Sequence, residues 1–174
     1  MNKPKYVAIV ATTLDGKIAR HEKHFSDWTS LEDKALLHAL LNKSDCIIVG
    51  RNTYETAVTK LRKRNCIMFT TQVKTVLRKS EKLLLCNPGT VDIRRIIRQQ
   101  HYKTVAILGG TQVYSYCLEH GLLNELFLTI EPLAFGNGLP LFNISTQRLY
   151  GFQLLAVKKL NAAGSVLLHY KKGV

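Results

Sequence analysis

The sequence is short of several residue types, and each shortage removes a class of protein. No run reaches the roughly 18 uninterrupted apolar residues that a membrane-crossing helix needs. The start, MNKPKYVAIVATTLDGK, carries too brief an apolar run for a secretory leader and lacks its small-residue cleavage pattern. The expectation is a soluble protein of the cytoplasm with no membrane partner. Cysteines are few and far apart, at 46, 66, 86 and 117, with no CxxC pair and no histidine at metal-ligand spacing. They read as reduced, buried thiols. The six histidines are equally dispersed, so no metal site is expected. No repeat, low-complexity stretch or linker interrupts the chain.

Acidic side chains are also scarce, 12 against 25 Lys and Arg, which leaves a formal net charge of +13. Such a surface attracts polyanions by neutralising phosphates and releasing counterions. A basic nucleic-acid-binding protein without catalysis is therefore the reading to weigh from outside the enzymes. The excess is spread over both halves, however. It is dense only in Lys60-Leu61-Arg62-Lys63-Arg64, and looser through Lys74, Arg78, Lys79 and Lys82. There is no recognised binding motif and no platform of interleaved aromatics and cations. Nucleic acid is not the expected partner, and a phosphorylated cofactor or substrate would use the same field.

What is present is an ordinary globular composition. The 174 residues are 46% hydrophobic and 21% charged, enough for one continuous core and one domain over residues 1–174. Short β-branched runs alternate with helical patterns, which predicts a mainly parallel sheet covered by helices. Strands are expected at Val7–Ala11, Cys46–Val49, Cys66–Thr70, Leu83–Cys86, Val105–Leu108 and Leu126–Ile130. Helices are expected at Ser30–Asn42, Val91–Gln100 and about Gln112–His120. A hairpin turning at Ala163-Gly164 closes the chain on a sheet edge. The count gives a mixed sheet of about seven or eight strands.

Two strand ends carry the sharpest chemical signals. Ile47-Ile48-Val49-Gly50-Arg51-Asn52-Thr53-Tyr54-Glu55 puts a glycine, a cation and a hydroxyl at the carboxyl end of a buried strand, where ligands bind open α/β sheets. Ile107-Leu108-Gly109-Gly110-Thr111-Gln112-Val113-Tyr114 repeats the arrangement. Its glycine pair lets backbone approach a diphosphate, and the helix that follows offers free amides and a favourable dipole. A third end, Phe69-Thr70-Thr71-Gln72, adds hydroxyls ahead of Lys74. Taken singly these glycines serve tight turns; together the three ends predict a convergent anion-binding edge.

In these residues the chain resembles the dihydrofolate reductase superfamily, in particular the reductase domain of riboflavin biosynthesis, the RibD C-terminal domain. The resemblance runs nearly end to end: Thr12 to Ala19 for the opening loop, Ser30-Leu31-Glu32-Asp33 for the first helix start, and Gly121 to Leu126 with Pro132, Gly136, Gly138 and Leu139-Pro140-Leu141-Phe142 late on. It implies a three-layer α/β/α fold with a C-terminal antiparallel hairpin, and NADPH as cofactor. Thr13, Gly50, Arg51, Asn52, Thr53, Thr70, Thr71, Gln72, Leu108, Gly109, Gly110, Thr111, Gln112, Val113 and Tyr114 would then surround the cofactor, with Thr70, Thr71 and Gln72 at the 2′-phosphate. The Lys60–Arg64 run makes electrostatic sense there too; Tyr54 and Tyr114 read as packing residues whose hydroxyls would face the cleft.

Asp33, after Trp28, matches the carboxylate that binds the pterin edge in dihydrofolate reductases and assists protonation; a helix capping box with Ser30 is the competing reading. Thr129 resembles the strand threonine that hydrogen-bonds this acid. Asp15, Trp28, Asp33 and Glu131 are the substrate-lining expectation, while Glu125 reads as a structural or surface charge. Riboflavin-type reductases usually carry a glutamate before the paired glycines, where this chain has Leu108. No zinc-binding His/Cys signature of an attached deaminase occurs at this length. The expected activity is hydride transfer from NADPH to a ribosylaminopyrimidine phosphate, with dihydrofolate or another dihydropterin as the alternative substrate. A homodimer through the last hairpin is allowed.

Overall fold

The computed structural model describes residues 3–173. Its frame is a nine-stranded sheet in the order β10-β11-β8-β1-β7-β3-β4-β6-β5. Six neighbouring strands are parallel: β8 (Glu125–Ile130), β1 (Lys5–Thr12), β7 (Thr104–Ile107), β3 (Cys46–Gly50), β4 (Cys66–Phe69) and β6 (Leu83–Cys86). Antiparallel strands close both sides. The hairpin of β10 (Phe152–Lys159) and β11 (Val166–Lys172) adds to β8, and β5 (Val76–Ser80) adds to β6.

Successive strand side chains point to opposite faces, and the core divides accordingly. Tyr6, Ala8, Val10, Ile48, Val105 and Ile107 pack under α4 (Ile93–Gln99) and α5 (Thr111–Glu119). Val7, Ile9, Ile47, Val49 and Ala106 pack under Leu37, Leu40 and Leu41 of α1 (Leu31–Asn42), Tyr54 of α2 (Arg51–Thr56) and Leu61 of α3 (Val58–Leu61). The result is the expected three-layer arrangement with parallel strands buried on both faces.

The strand count exceeds the expectation. β5 reads Val-Leu-Arg-Lys-Ser and every residue is exposed, so it lacks the apolar alternation that marks a half-buried strand. Its cations suit an edge, where charge discourages pairing with another chain. A separate two-stranded ribbon, β2 (Lys17–Ala19) with β9 (Leu139–Pro140), is too short to leave a periodic signal. In the closing hairpin the Phe152/Leu154/Ala156 alternation is broken by a register shift between Leu154 and Ala156. Among the described residues no helix is long and apolar enough to cross a membrane.

Candidate active site at the carboxyl edge of the sheet

β7, β3 and β4 are consecutive in the sheet, so the three strand ends singled out in the sequence lie side by side. Gly50 N donates to Gly109 O at 2.7 Å, and Gly50 pairs in register with Phe69. A side chain at Gly50 would press on Val113 Cγ2 at 3.2 Å and Gly109 O at 3.4 Å. Gly109 has φ +89°, in the left-handed region glycine favours, and the ring of Tyr114 occupies the space a Cβ would need. Gly110 is different. A Cβ there would sit 3.8 Å from Thr53 Oγ1 and 3.9 Å from Ile18 Cδ1, filling a gap that glycine leaves open. The Gly109–Gly110 peptide is cis.

Gly110 is also the N-cap of α5 and makes no side-chain cap bond. The first amides of the helix, at Thr111 and Gln112, therefore face the sheet edge without an intrahelical acceptor. Arg51 is exposed at the neighbouring tip, and among the described residues no carboxylate lies within salt-bridge distance of it.

Several expected ligand contacts are redirected. Tyr114 is 2% exposed and its hydroxyl donates to Ile9 O at 2.7 Å, so it is a core anchor rather than a group facing the cleft. The Tyr54 side chain likewise packs in the core. Val113 is buried, and the amides of Val113 and Tyr114 are both taken by Gly110 O. The Thr111 hydroxyl donates to Pro140 O at 2.5 Å and ties α5 to β9. Thr70 is buried, its hydroxyl accepting from Gln72 N at 3.2 Å, while Thr71 and Gln72 are exposed. Asn52 Nδ2 donates to Glu22 Oε2 at 3.2 Å. Leu108 packs on the core and donates through its amide to Ile48 O.

The basic run divides: Lys60 lies over the Phe25 ring at 5.9 Å, while its last two cations leave these tips. Lys63 and Arg64 immediately precede β4, at its amino end, and Arg64 donates to Leu41 O and to Asn42 Oδ1 at the far end of α1. Helices α2 and α3 carry the chain back across the sheet, which proximity in sequence could not reveal.

A flap covers the edge on the side of Gly110. Thr13 Oγ1 donates to Asp15 Oδ1 at 2.5 Å, and the Asp15 carboxylate also accepts from Phe135 N and Gly136 N. These bonds, the Thr13 one first, hold its carboxyl below the usual carboxylate range. Asp15 thus fastens loop to loop, a different job from contacting substrate. Gly138 lies against Ala19 O so closely that a Cβ would come within 2.5 Å of it. Phe135 stacks edge-on with Trp28 at 5.0 Å, under Arg20. Trp28 Nε1 is buried with no partner among the described residues.

Asp33 stands at the start of α1, 8% exposed. Burial raises its pKa above 3.8, opposed by hydrogen bonding from Thr129 and Thr29 and assisted by the nearby charge of Glu131. The competing capping-box reading is half met. Ser30 Oγ accepts from Asp33 N at 3.2 Å, but the reciprocal bond, from Ser30 N, goes to Glu131 Oε1 at 2.8 Å. Glu131 takes the role a capping box gives to the third helical residue, which leaves the Asp33 carboxyl free of the helix end. Glu131 itself is 3% exposed, and its other oxygen accepts from Ser165 Oγ. It is a buried clamp between β8, α1 and the hairpin turn rather than an open pocket wall. Asn161 completes the clamp, donating to Glu32 Oε2 and Ser165 Oγ, both at 3.0 Å. No periodic pattern marks that connection. Glu125 bonds Lys5 at 2.8 Å and His169 at 3.0 Å, as a structural charge.

The comparisons with known proteins agree with this fold. The sequence profile of the RibD C-terminal domain matches residues 4–165. Over 174 residues the chain is 26% identical to the uncharacterised protein YwjB of Bacillus subtilis (strain 168), covering 95% of this chain and 97% of that one. Among solved structures it is similar to the diaminohydroxyphosphoribosylaminopyrimidine deaminase/5-amino-6-(5-phosphoribosylamino)uracil reductase of Thermotoga maritima, with TM-score 0.72 and 20% identity over 98% of this chain and 57% of that one. It is also similar to the dihydrofolate reductase of Enterococcus faecalis, solved with NADP(H), with TM-score 0.68 and 18% identity over 99% and 98% of the two chains. At such identities the structures establish the fold alone, dihydrofolate reductase-like. With most of its length matched by the profile, the chain belongs to the RibD C-terminal domain family.

Proposed function

We propose that this chain is an NADPH-dependent reductase, one domain over residues 1–174, acting in the cytoplasm on a phosphorylated aminopyrimidine. The observation that carries the reading is the convergence of the β3, β4 and β7 tips on the same edge of the sheet as Asp33, a buried carboxyl not engaged in capping its helix. The residues fit a phosphorylated dinucleotide. Gly50 and Gly109 keep side chains out of the crossing, and Gly110 leaves a gap that a Cβ would fill. The uncapped start of α5 supplies amides for a diphosphate. Arg51, with the exposed Thr71 and Gln72, offers cation and donors to a 2′-phosphate. Thr13 and Leu108 shape the edge from the core side.

When bound, the cofactor supplies a hydride to the carbon being reduced, an open-chain imine or carbonyl. The protein contributes position, exclusion of water and a proton. Ile18 and the β2–β9 flap close over Gly110 and shield that end of the edge. Trp28 Nε1 is a donor held for an acceptor on the substrate ring. Asp33 retains a proton into a higher pH range than an exposed carboxyl and holds it beside Thr129, where it can be delivered directly or through an ordered water. Binding both partners on one rigid edge accounts for most of the acceleration.

The exposed edge strand β10, with Leu154, Leu155 and Val157 at 47%, 46% and 60% exposure, supports a homodimer through that edge. The function is tested by mixing the protein with NADPH and either a ribosylaminopyrimidine phosphate or dihydrofolate, and following loss of reduced-nicotinamide absorbance. Turnover of the first alone is expected. Turnover of dihydrofolate alone would reassign the substrate, and turnover of neither would remove the reading.

A further inference from the structure

The proposed reductase site uses the carboxyl edge of the sheet and leaves most of the positive charge unexplained. The opposite edge holds much of it. Lys103 precedes β7, Lys43 precedes β3, Lys63 and Arg64 precede β4, and Lys82 precedes β6; β5, being antiparallel, brings Arg78 and Lys79 to the same edge. Against these stand Asp45, whose carboxylate already accepts from Lys103 N and Thr104 N at 2.8 Å, and Glu81. Among the described residues only Lys5–Glu125, His169–Glu125 and Arg98–Asp92 join an acid to a base. None of these seven cations forms a salt bridge among the described residues.

The arrangement is linear. Neighbouring strands lie about 4.8 Å apart, so the row from β7 to β5 spans about 19 Å. Phosphates recur about every 3.4 Å per strand along a duplex axis, so such a row faces about five of them. At its centre a cavity of about 200 Å³ is lined by Ser44, Asp45, Lys63, Arg64, Asn65 and Lys82. Arg64 is held there by Leu41 O and Asn42 Oδ1, and Lys82 by Lys63 O at 3.2 Å, so two of the cations are fixed in place. No large apolar side chain is exposed among residues 43–45, 62–65, 78–82 or 101–104, and on the row only Val76 and Leu77 of β5 are, fewer anchors than an interfacial membrane helix uses.

We propose that this amino edge binds the phosphate backbone of a nucleic acid, without regard to base sequence, as a second binding surface on the side of the sheet away from the reductase site. The row is longer than a single phosphorylated metabolite requires.

The test is fluorescence anisotropy with a labelled duplex of about 20 base pairs, titrated at several salt concentrations. Binding is expected at low salt, weakening steeply as salt rises. Changing Lys63, Lys79 and Lys103 together to Gln should weaken it by about tenfold or more and reduce the salt slope by about 2 to 3, since each lost phosphate contact contributes about 0.9. All three are exposed and make no side-chain hydrogen bond among the described residues. Single changes K63Q and K103Q should each give part of the effect, and NADPH affinity should not move in any of them. The control changes Lys158 and Lys159 together to Gln, on the far hairpin at the carboxyl edge of the sheet. An equal loss per lysine in the control and the triple variant would reduce the surface to bulk charge and overturn the proposal. So would no binding at low salt, or tighter binding to anionic phospholipid vesicles than to the duplex.

Discussion

Replacing Asp33 with Asn separates a residue kept for stability from one kept for chemistry, because the two roles predict opposite signs. Burial raises the carboxyl's pKa above its ordinary value of 3.8, and the charge of Glu131 adds to the rise. A carboxyl that holds its proton more tightly when folded adds stability below its unfolded pKa and loses that contribution as pH climbs through the folded one. At neutral pH the wild type therefore carries the cost of a buried charge, about 1.4 kcal/mol for each tenfold tightening of proton affinity on folding. D33N removes it while keeping the backbone bond from its amide to Ser30 Oγ. The variant should melt higher than wild type at pH 7, by about 2 to 4 °C per kcal/mol in a chain of this size, and the gain should vanish near pH 3. Turnover should fall by about 10²- to 10⁴-fold, the usual contribution of a positioned acid. Thermal denaturation across pH, paired with steady-state kinetics, reads both. A variant that melts lower than wild type at every pH and still turns over at the wild-type rate refutes the reasoning.

Four further outcomes follow from the same geometry. Arg51→Glu should reverse the preference for NADPH over NADH in direct titrations, since its cation has no acidic partner within the protein. Gly109→Ala, forced to φ +89° against the Tyr114 ring, should cost about 1 to 3 kcal/mol in urea unfolding and abolish cofactor binding in the folded fraction. Glu131→Ala should cost about 2 to 4 kcal/mol because it leaves the Ser30 amide and the Ser165 hydroxyl hydrogen without their acceptor, with E131Q retaining part of the loss. The thiols of Cys66 and Cys86 are pushed up by burial to about 12 and about 11, and those of Cys46 and Cys117 still higher; none should react with a thiol reagent at pH 8 until the protein is unfolded.

The parallel strands and their long helices were legible because each buries a continuous apolar run. Cys46–Val49 and Val105–Ile107 could hardly be anything else once bounded by Gly50 and Gly109. The adjacency of the β3 and β4 tips was legible because consecutive βα units lie side by side, whereas β7 enters between β1 and β3 by a crossover that chain order does not dictate. What escaped has a common cause: it depends on partners distant in the chain. β5 is held by pairing with β6 rather than by burial. Glu131 looks like any strand-end acid until Ser30, 101 positions away, presents its amide. Tyr114 packs as its apolar ring suggests, but its hydroxyl, expected at the cleft, donates to Ile9 O, 105 positions away. Lys63 and Arg64 follow the site residues in sequence yet lie at the other edge, because two short helices return the chain across the sheet.

The central claim, that the β3, β4 and β7 tips form a site for a 2′-phosphorylated dinucleotide, is tested most directly by calorimetric titration of the protein with NADPH and, in parallel, with NADH. The account predicts one site per chain for NADPH and at least about tenfold weaker binding of NADH, a difference of about 1.4 kcal/mol. No heat with either ligand, or equal affinity for both, would contradict it.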